Sequence, residues 1–395
     1  MKIISFINIY IICTSYMQMN DIQNVDVSKQ EQQIPVFDKG KQYPKKIIKR
    51  EITEEIYIPL ETTPEVLLDQ DAVLIYVSNN RMLVFNCKIG DIFIFGMDGK
   101  ALFNFNRRGP DGYSFIKSVI YDEKNKEVIV LDEFTRKIFV FSEEGVYKRI
   151  LHTPLSIRPT EIYNYDEKSI LVFDEKQHTS QTPVMRITPT QPFTLHSKED
   201  GTIISKINIT MEKVLAKSMF IRIDRNTSRG YKNTITLPNN SKFGNEFIFH
   251  DFSLDTIYHL REDKTLVPLF VQSPSVFSER PKIVCVGLLS DKFIAFSMYH
   301  WDVLEQIRQQ DRGKEVKFYE KFFIFDFIEK QFYEIASVLG TWGKIEIDKN
   351  KSAQLIDADI MIQSYKVGRL TGDVKKIAQK LKEEDNQVVK ITKYK

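Results

Sequence analysis

The stretch DIFIFGMDGKALFNF (91–105) is answered 46 positions further on by KIFVFSEEGVYKRIL (137–151). Ile92 aligns with Ile138, Phe93 with Phe139, Phe95 with Phe141 and Gly99 with Gly145. Each copy is a short apolar run, a turn and a second run. Neighbouring side chains of a strand point to opposite faces, so Ile92 and Ile94 face one way and Phe93 and Phe95 the other. A strand apolar on both faces belongs to a sheet that is covered twice. The aligned glycines sit where a hairpin needs a positive φ. Weaker echoes are DTIYHLREDKTLVPLF (255–270), with Ile257 and Tyr258 in the paired positions, and FFIFDFIEKQFYEI (322–335), with Ile324 and Phe325. Both have lost the glycine.

Working outward, AVLIYV (72–77) and RMLVFN (81–86) complete a four-stranded meander, with turn-rich breaks at SNN, CKIG and MDGK. A four-stranded antiparallel unit recurring every ~40–50 residues is the signature of a β-propeller, in which a ring of twisted sheets buries every sheet face. Residues 51–395 have room for seven units at the observed spacing, or six with insertions; the spacing alone does not choose. The stretch 198–245 has poor periodicity and is expected to hold long inter-strand loops. EITEEIYIPLE (51–61) precedes the first unit and is expected to pair with C-terminal strands, closing the ring and hiding a sheet edge. TGDVKKIAQKLKEEDN (371–386) reads as a helix with Thr371 as N-cap and an apolar stripe of Val374, Ile377, Ala378 and Leu381. QVVKITKY (387–394) reads as a last strand.

Composition agrees. Hydrophobic residues make up 42% and charged residues 28% of the 395, a globular balance. The 28 Phe and 17 Tyr, against 2 Trp, favour strands. A net charge of +3 lacks the concentrated basic face of a nucleic-acid binder, so no nucleic-acid partner is expected. The basic run KGKQYPKKIIKR (39–50) is followed at once by EITEE and reads as a solvated lead-in. At the start, Met1 and Lys2 precede IISFINIYII (3–12), Cys13, Thr14 and Ser15, the pattern of a short secretory signal; the competing reading is a buried strand. The run is too short to span a bilayer, which takes ~20 residues. The expected division is a signal segment at 1–15, a polar lead-in or tether at 16–50, and the propeller at 51–395. Cys13 is a candidate lipidation site, although Ile12 stands where such signals want a small residue. Cys87 and Cys285 lie in apolar runs and are expected as buried thiols, although an exported protein permits a bridge between them; the chain has no C-x-x-C.

With these residues in view, the chain resembles the exported six-bladed β-propeller family abundant in Bacteroidetes, often lipoproteins, and is distantly similar to NHL-repeat propellers. The resemblance rests on IYIPLETTPEVLL (56–68), FNRRGPDGYSFI (105–116), IVLDEFTRKIFVFSEEGVYKRIL (129–151), FHDFSLDTIYHL (249–260) and KEEDNQVVKITKYK (382–395). It implies six blades of four antiparallel strands, an all-β fold with a short C-terminal helix, and an extracytoplasmic location, periplasmic or at the cell surface. Where the family has Gly-x-Gly-Pro-Gly-Glu-Tyr, Arg107 and Asp111 replace two glycines and Gly112 replaces the acid. The family has no settled activity, so the resemblance implies no chemistry.

The loop FNRRGPDGYSF (105–115) has the glycines and cations of a phosphate cradle, but no helix follows to face a phosphate, and it fits neither the P-loop nor the dinucleotide pattern. It reads as an inter-blade corner from which Arg107 and Arg108 reach a rim and an acidic ligand. The six histidines (152, 178, 196, 250, 259, 300) form no H-x-H or H-E-x-x-H, and no G-x-S-x-G occurs. DRNTSRG (224–230) begins like a calcium loop but lacks the glycine and the closing acid, and reads as a polar turn. MYHWDVLEQIRQQDRGKE (298–315) reads as an excursion from the scaffold, with Tyr299 and Trp301 expected to pack onto the propeller face, the alternative being that they stack on a sugar or peptide. The sequence therefore points to a non-catalytic binding propeller of the cell envelope, monomeric, without cofactor or metal, whose ligand is a glycan, a peptide or an envelope protein. The competing reading is an extracytoplasmic hydrolase or lyase acting on glycans or peptides, with a site gathered in the central funnel.

Overall fold

In a computed structural model of the chain, the residues described are 23–26, 33–174, 179–180, 184–215, 218–222, 230–234, 240–279, 281–300, 320–337 and 344–395. Six four-stranded antiparallel sheets form a propeller. Blade 1 is Ala72–Val77, Arg81–Asn86, Ile92–Gly96 and Ala101–Phe105; blade 2 is Ile116–Asp122, Glu127–Asp132, Ile138–Ser142 and Tyr147–Leu151. Blade 3 is Glu161–Asn164, Ser169–Phe173, Phe193–Ser197 and Ile203–Ile207; blade 4 is Asn240–Phe243, Glu246–Phe249, Thr256–Leu260 and Leu266–Ser273. Blade 5 is Lys282–Leu289, Phe293–His300, Glu320–Asp326 and Gln331–Ile335. Blade 6 takes three strands from the C-terminal region, Lys344–Asp348, Lys351–Ile356 and Val388–Tyr394, and its fourth from Ile52–Pro59. That last pairing, Ile56 opposite Ile391, is the ring closure the sequence predicts.

The double-sided strands do what their pattern demands. Ile92 and Ile94 pack with Ile116, Val128, Val130 and Phe139 across the seam to blade 2. Phe93 and Phe95 pack with Ile58, Val389 and Ile391 across the seam to blade 6. A third cluster joins blades 4 and 5 through Ile248, Phe270, Phe296 and Phe323. Blades 2 and 3, and blades 3 and 4, share clusters in the same way, so these seams are hydrophobic cores that hold the ring.

The stretch read as a polar lead-in has pairings of its own. Gln23–Val25 adds a parallel strand to the outer edge of blade 3, and Val36–Asp38 does the same on blade 4. Lys45 bridges Glu334 on blade 5, with Lys46 N–H donating to the Glu334 carbonyl at 3.0 Å. The chain then enters blade 6 as Ile52–Pro59. Phe37, fully buried, plugs the aromatic cluster of blades 4 and 5, 4.9 Å from Phe296 and 5.0 Å from Phe323.

Turns from first to second strand and from third to fourth strand are short in every blade that closes them directly, as at 78–80, 244–245 and 143–146. The long excursions leave from the other rim, between second and third strands or between blades. One of them, 357–387, joins the second and third strands of blade 6. The stretch 198–245, expected as loops, contains strands: Ile203–Ile207 of blade 3, Met211–Leu215 paired with Val184–Thr190, and Ser218–Arg222 paired with Gly230–Thr234. Their polar sequences, such as MEKVL and GYKNT, hide the period of two.

Two helices lie in 357–387. The first, Ala358–Lys366, buries Ala358, Met361 and Ile362 and was not legible as a helix. The second covers only Gly372–Ala378 of the predicted 371–386; Thr371 is its N-cap, without a side-chain capping bond. The chain leaves the helix in a turn, where Lys382 N–H donates to Asp385 Oδ2 at 2.8 Å. Among the described residues no helix is long and apolar enough to cross a membrane. Cys87 is half-buried and Cys285 buried, and neither is in a disulfide. Cys13, His178, Trp301 and residues 224–229 of the turn lie outside the described residues.

Candidate functional site

The loop 106–115 joins blade 1 to blade 2 and is anchored by one inward-facing side chain. Tyr113 is fully buried; its hydroxyl donates to the Gly90 carbonyl at 2.7 Å and accepts from the Arg107 N–H at 3.0 Å. Burial pushes the Tyr113 phenol up to about 12, so it stays a neutral donor. A Cβ at Gly112 would fall 1.8 Å from the Arg107 carbonyl, which explains the glycine there. The guanidinium groups are pins: Arg107 Nε donates to the Gly145 carbonyl at 2.6 Å, and Arg108 Nη1 to the Lys88 carbonyl at 2.8 Å. Arg107 ties blade 1 to blade 2, and Arg108 ties the loop back to blade 1.

The next anchor is Asp132, fully buried at the end of the second strand of blade 2. One carboxylate oxygen accepts from the N–H groups of Ser114 and Phe115 and from the Ser114 hydroxyl, at 2.7–2.8 Å. The other accepts from the N–H and hydroxyl of Thr135, both at 2.7 Å. Burial works to raise this carboxyl's pKa, but the hydrogen bonds from Phe115, Ser114 and Thr135 outweigh it and hold it at about 2. The same position recurs. Asn86 Oδ1 accepts from the Asp69 N–H at 3.0 Å in blade 1, and Asp174 from the Arg158 N–H at 3.1 Å in blade 3. FN, LD and FD at the ends of these strands are a repeat signal that apolar periodicity passes over. In blade 2 the anchor fixes two loops at once. It thereby presents Phe115 and Phe134, whose rings meet edge-on at 6.3 Å although Phe134 is 75% exposed.

Beside this loop, on the outer side of blade 1, lies a groove of about 450 Å³. Leu67, Ile89 and Phe105 form apolar walls, with Glu65, Asp91 and Asn104 between them. Its donors are already engaged: Asn104 Nδ2 bonds the Glu65 carbonyl at 2.8 Å, and Asn106 Nδ2 bonds both the Ile89 carbonyl and Asp91 Oδ1. The groove therefore presents oxygen acceptors and apolar surface, and suits a ligand rich in N–H or O–H groups. No sequence motif marks it, because its lining comes from three separate segments.

The remaining sequence candidates fall elsewhere. Tyr299 sits in the second strand of blade 5, only 9% exposed, opposite Ile283 and Glu320. His196 lies between the Thr194 hydroxyl and the Gly201 carbonyl, each at 2.8 Å, and burial lowers its pKa. His259 pairs with Glu246 at 3.0 Å; burial lowers its pKa, against the pull of Glu246. Among the described residues no three His, Cys, Asp or Glu side chains form a group that could hold a metal ion.

Known structures agree on the architecture. A candidate exported protein from Bacteroides fragilis superposes with a TM-score of 0.53 at 12% identity, over 91% of this chain and 99% of its own. A member of the DUF4221 family from Bacteroides vulgatus gives 0.46 at 9% identity, over 88% and 98%. Virginiamycin B lyase from Staphylococcus aureus gives 0.37 at 10% identity, over 86% and 99%. No curated relative matches the chain. At such identities the first likeness speaks for the propeller fold, and the weaker two add nothing to it. A family model matches residues 20–274, from the first outer-edge strand to the end of blade 4, and the chain belongs to that family, Domain of unknown function (DUF4934).

Proposed function

We propose that this chain is a non-catalytic binding propeller of the cell envelope and that the blade 1 groove is its ligand site. The observation that carries the reading is the groove itself: about 450 Å³, with apolar walls, acceptor oxygens and no free amide donor at Asn104 or Asn106. A peptide backbone or a glycan supplies the complementary donors, and Glu65 and Asp91 favour a ligand without net negative charge. The export-like N-terminal sequence supports the envelope location. Arg107 and Arg108 hold the loop through backbone carbonyls.

A thermal-shift screen of the full chain against neutral glycans and short peptides tests this, since a ligand of the native state raises Tm. The expected result is a rise with one class that Leu67→Arg abolishes while leaving the unliganded Tm unchanged. A ligand whose shift survives Leu67→Arg would move the site away from the groove. Mass-spectrometric detection of a cleaved product would overturn the non-catalytic reading.

A further inference from the structure

The seam that closes the ring clasps the loop 60–71 to Asn386 and Gln387. Asn386 Nδ2 donates to the carbonyls of Glu61 and Val66 at 2.6 and 2.7 Å, and its Oδ1 accepts from the Leu68 N–H at 2.8 Å. Gln387 Nε2 donates to the Asp69 carbonyl at 3.0 Å. The clasp nevertheless leaves three oxygens over. Both carboxylate oxygens of Asp69 and Oε1 of Gln387 are buried and accept no hydrogen bond. Gln387 is only 7% exposed, and its Nε2 bond to the Asp69 carbonyl ties the two residues together. The nearby cation, Lys88, pairs instead with Asp71. The neighbouring Cys87 thiol is pushed up first by burial and then by the charges of Asp69 and Asp71, so the surroundings are negative.

A buried carboxylate without donors is among the costliest groups a fold can hold, and such orphans call for a water or an ion. A proton shared between two of these oxygens would leave the third unserved. A water has two hydrogens to offer them. A cation serves all three together, and carboxylate and amide oxygens are the donors of hard cations. We propose that Asp69 and Gln387 form a site for a hard divalent cation, calcium by its donor set, which locks the seam between blades 6 and 1. Calcium takes six to eight oxygens, so water completes the shell. A site with one carboxylate belongs to the weak class, with Kd on the order of 10⁻⁴–10⁻³ M. The inference is independent of the ligand groove.

The test is the Tm of the full chain in chelator, in calcium, in magnesium and in sodium at matched ionic strength. Calcium is expected to raise Tm saturably, with half the effect at millimolar concentration or below, and magnesium to raise it less. Asp69→Asn should abolish the rise, while its Tm in chelator equals or exceeds that of the unaltered chain, because a buried unpaired charge has gone. Gln387→Glu should lower the calcium concentration for half effect several-fold. A Tm indifferent to calcium would overturn the proposal, as would a rise matched by sodium or one retained by Asp69→Asn. Should Asp69→Asn fail to fold, calorimetric titration of the unaltered chain and of Gln387→Glu with calcium decides: heat that saturates, tighter in the variant, supports the site, and no heat refutes it.

Discussion

The corner between third and fourth strands is built two ways in this ring. Gly99, Gly145 and Gly201 turn it in blades 1 to 3, at φ of 81°, 75° and 87°. Lys264 and Lys330 turn it in blades 4 and 5, at 67° and 53°. The backbone is left-handed in both halves, so the angle alone does not require glycine; a side chain there costs about 1–2 kcal/mol. What differs is the neighbour. A Cβ at Gly99 would meet the Pro59 carbonyl at 2.0 Å, one at Gly145 the Phe105 ring at 2.3 Å, and one at Gly201 the His152 nitrogen at 2.4 Å. Each obstacle ends, or directly follows, the fourth strand of the preceding blade. Where the glycine persists, consecutive blades touch at this corner; where it is lost, the corner has room for lysine.

The strongest way to break this comparison is Gly99→Ala. The obstacle is a backbone carbonyl that cannot step aside, so urea unfolding should show a loss of about 4 kcal/mol, combining overpacking with the left-handed strain. Gly145→Ala should cost less, because the Phe105 ring has some freedom. Phe105→Leu should couple to it favourably in a double-mutant cycle, and strict additivity there would contradict the contact.

A middle-sized effect is expected at Asp132. Asn in its place keeps one acceptor oxygen but turns an NH2 toward the Thr135 N–H, so Asp132→Asn should cost about 2–3 kcal/mol near neutral pH. Amide exchange at Ser114, Phe115 and Thr135 should accelerate, the local sign that both loops have loosened. The sign of the pH dependence follows from a folded pKa of about 2, below the unfolded value of about 3.9. The stabilisation is complete above pH 4 and disappears as pH falls through 2, so parent and variant should converge over that window. A gap that stays constant down to pH 2 would refute the carboxylate's role.

The smallest effect sharpens the other half of the comparison. Lys330→Gly removes the left-handed strain together with whatever this side chain holds, so the two effects oppose each other and Tm should move by the equivalent of less than about 1 kcal/mol. A larger fall would mean that the corner depends on the lysine side chain.

These contrasts show why the fold was legible and the site was not. Ile92 to Phe95 and their copy at Ile138 to Phe141 carry the fold in four adjacent positions, because a strand covered on both faces has no other solution. Even the ring closure was visible, since Ile56 and Ile58 form an apolar strand with no local partner. Phe37 was missed because a lone aromatic in a polar run has no period, although it fills the centre of a cluster. Composition shows the charges of Arg107 and Arg108 but not their bonds; each guanidinium donates to a backbone carbonyl. The groove and the Asp69 oxygens were beyond reach for a similar reason, being made by segments that meet only once the ring is closed.

The outer-edge strands also set a clock. Gln23–Val25, Val36–Asp38 and Ile52–Pro59 are synthesised first, yet their partners are among the later parts of the chain. Thr53 bonds Lys393, 340 positions away. Closing so long a loop is slow for entropic reasons, and contacts of this separation delay folding far more than they weaken the finished fold. Blades 1 and 2 have all four strands within one short span and can form as soon as they are made. Blade 6 waits for Val388–Tyr394, so the newborn chain keeps Ile52–Pro59 without its antiparallel partner until those residues are made.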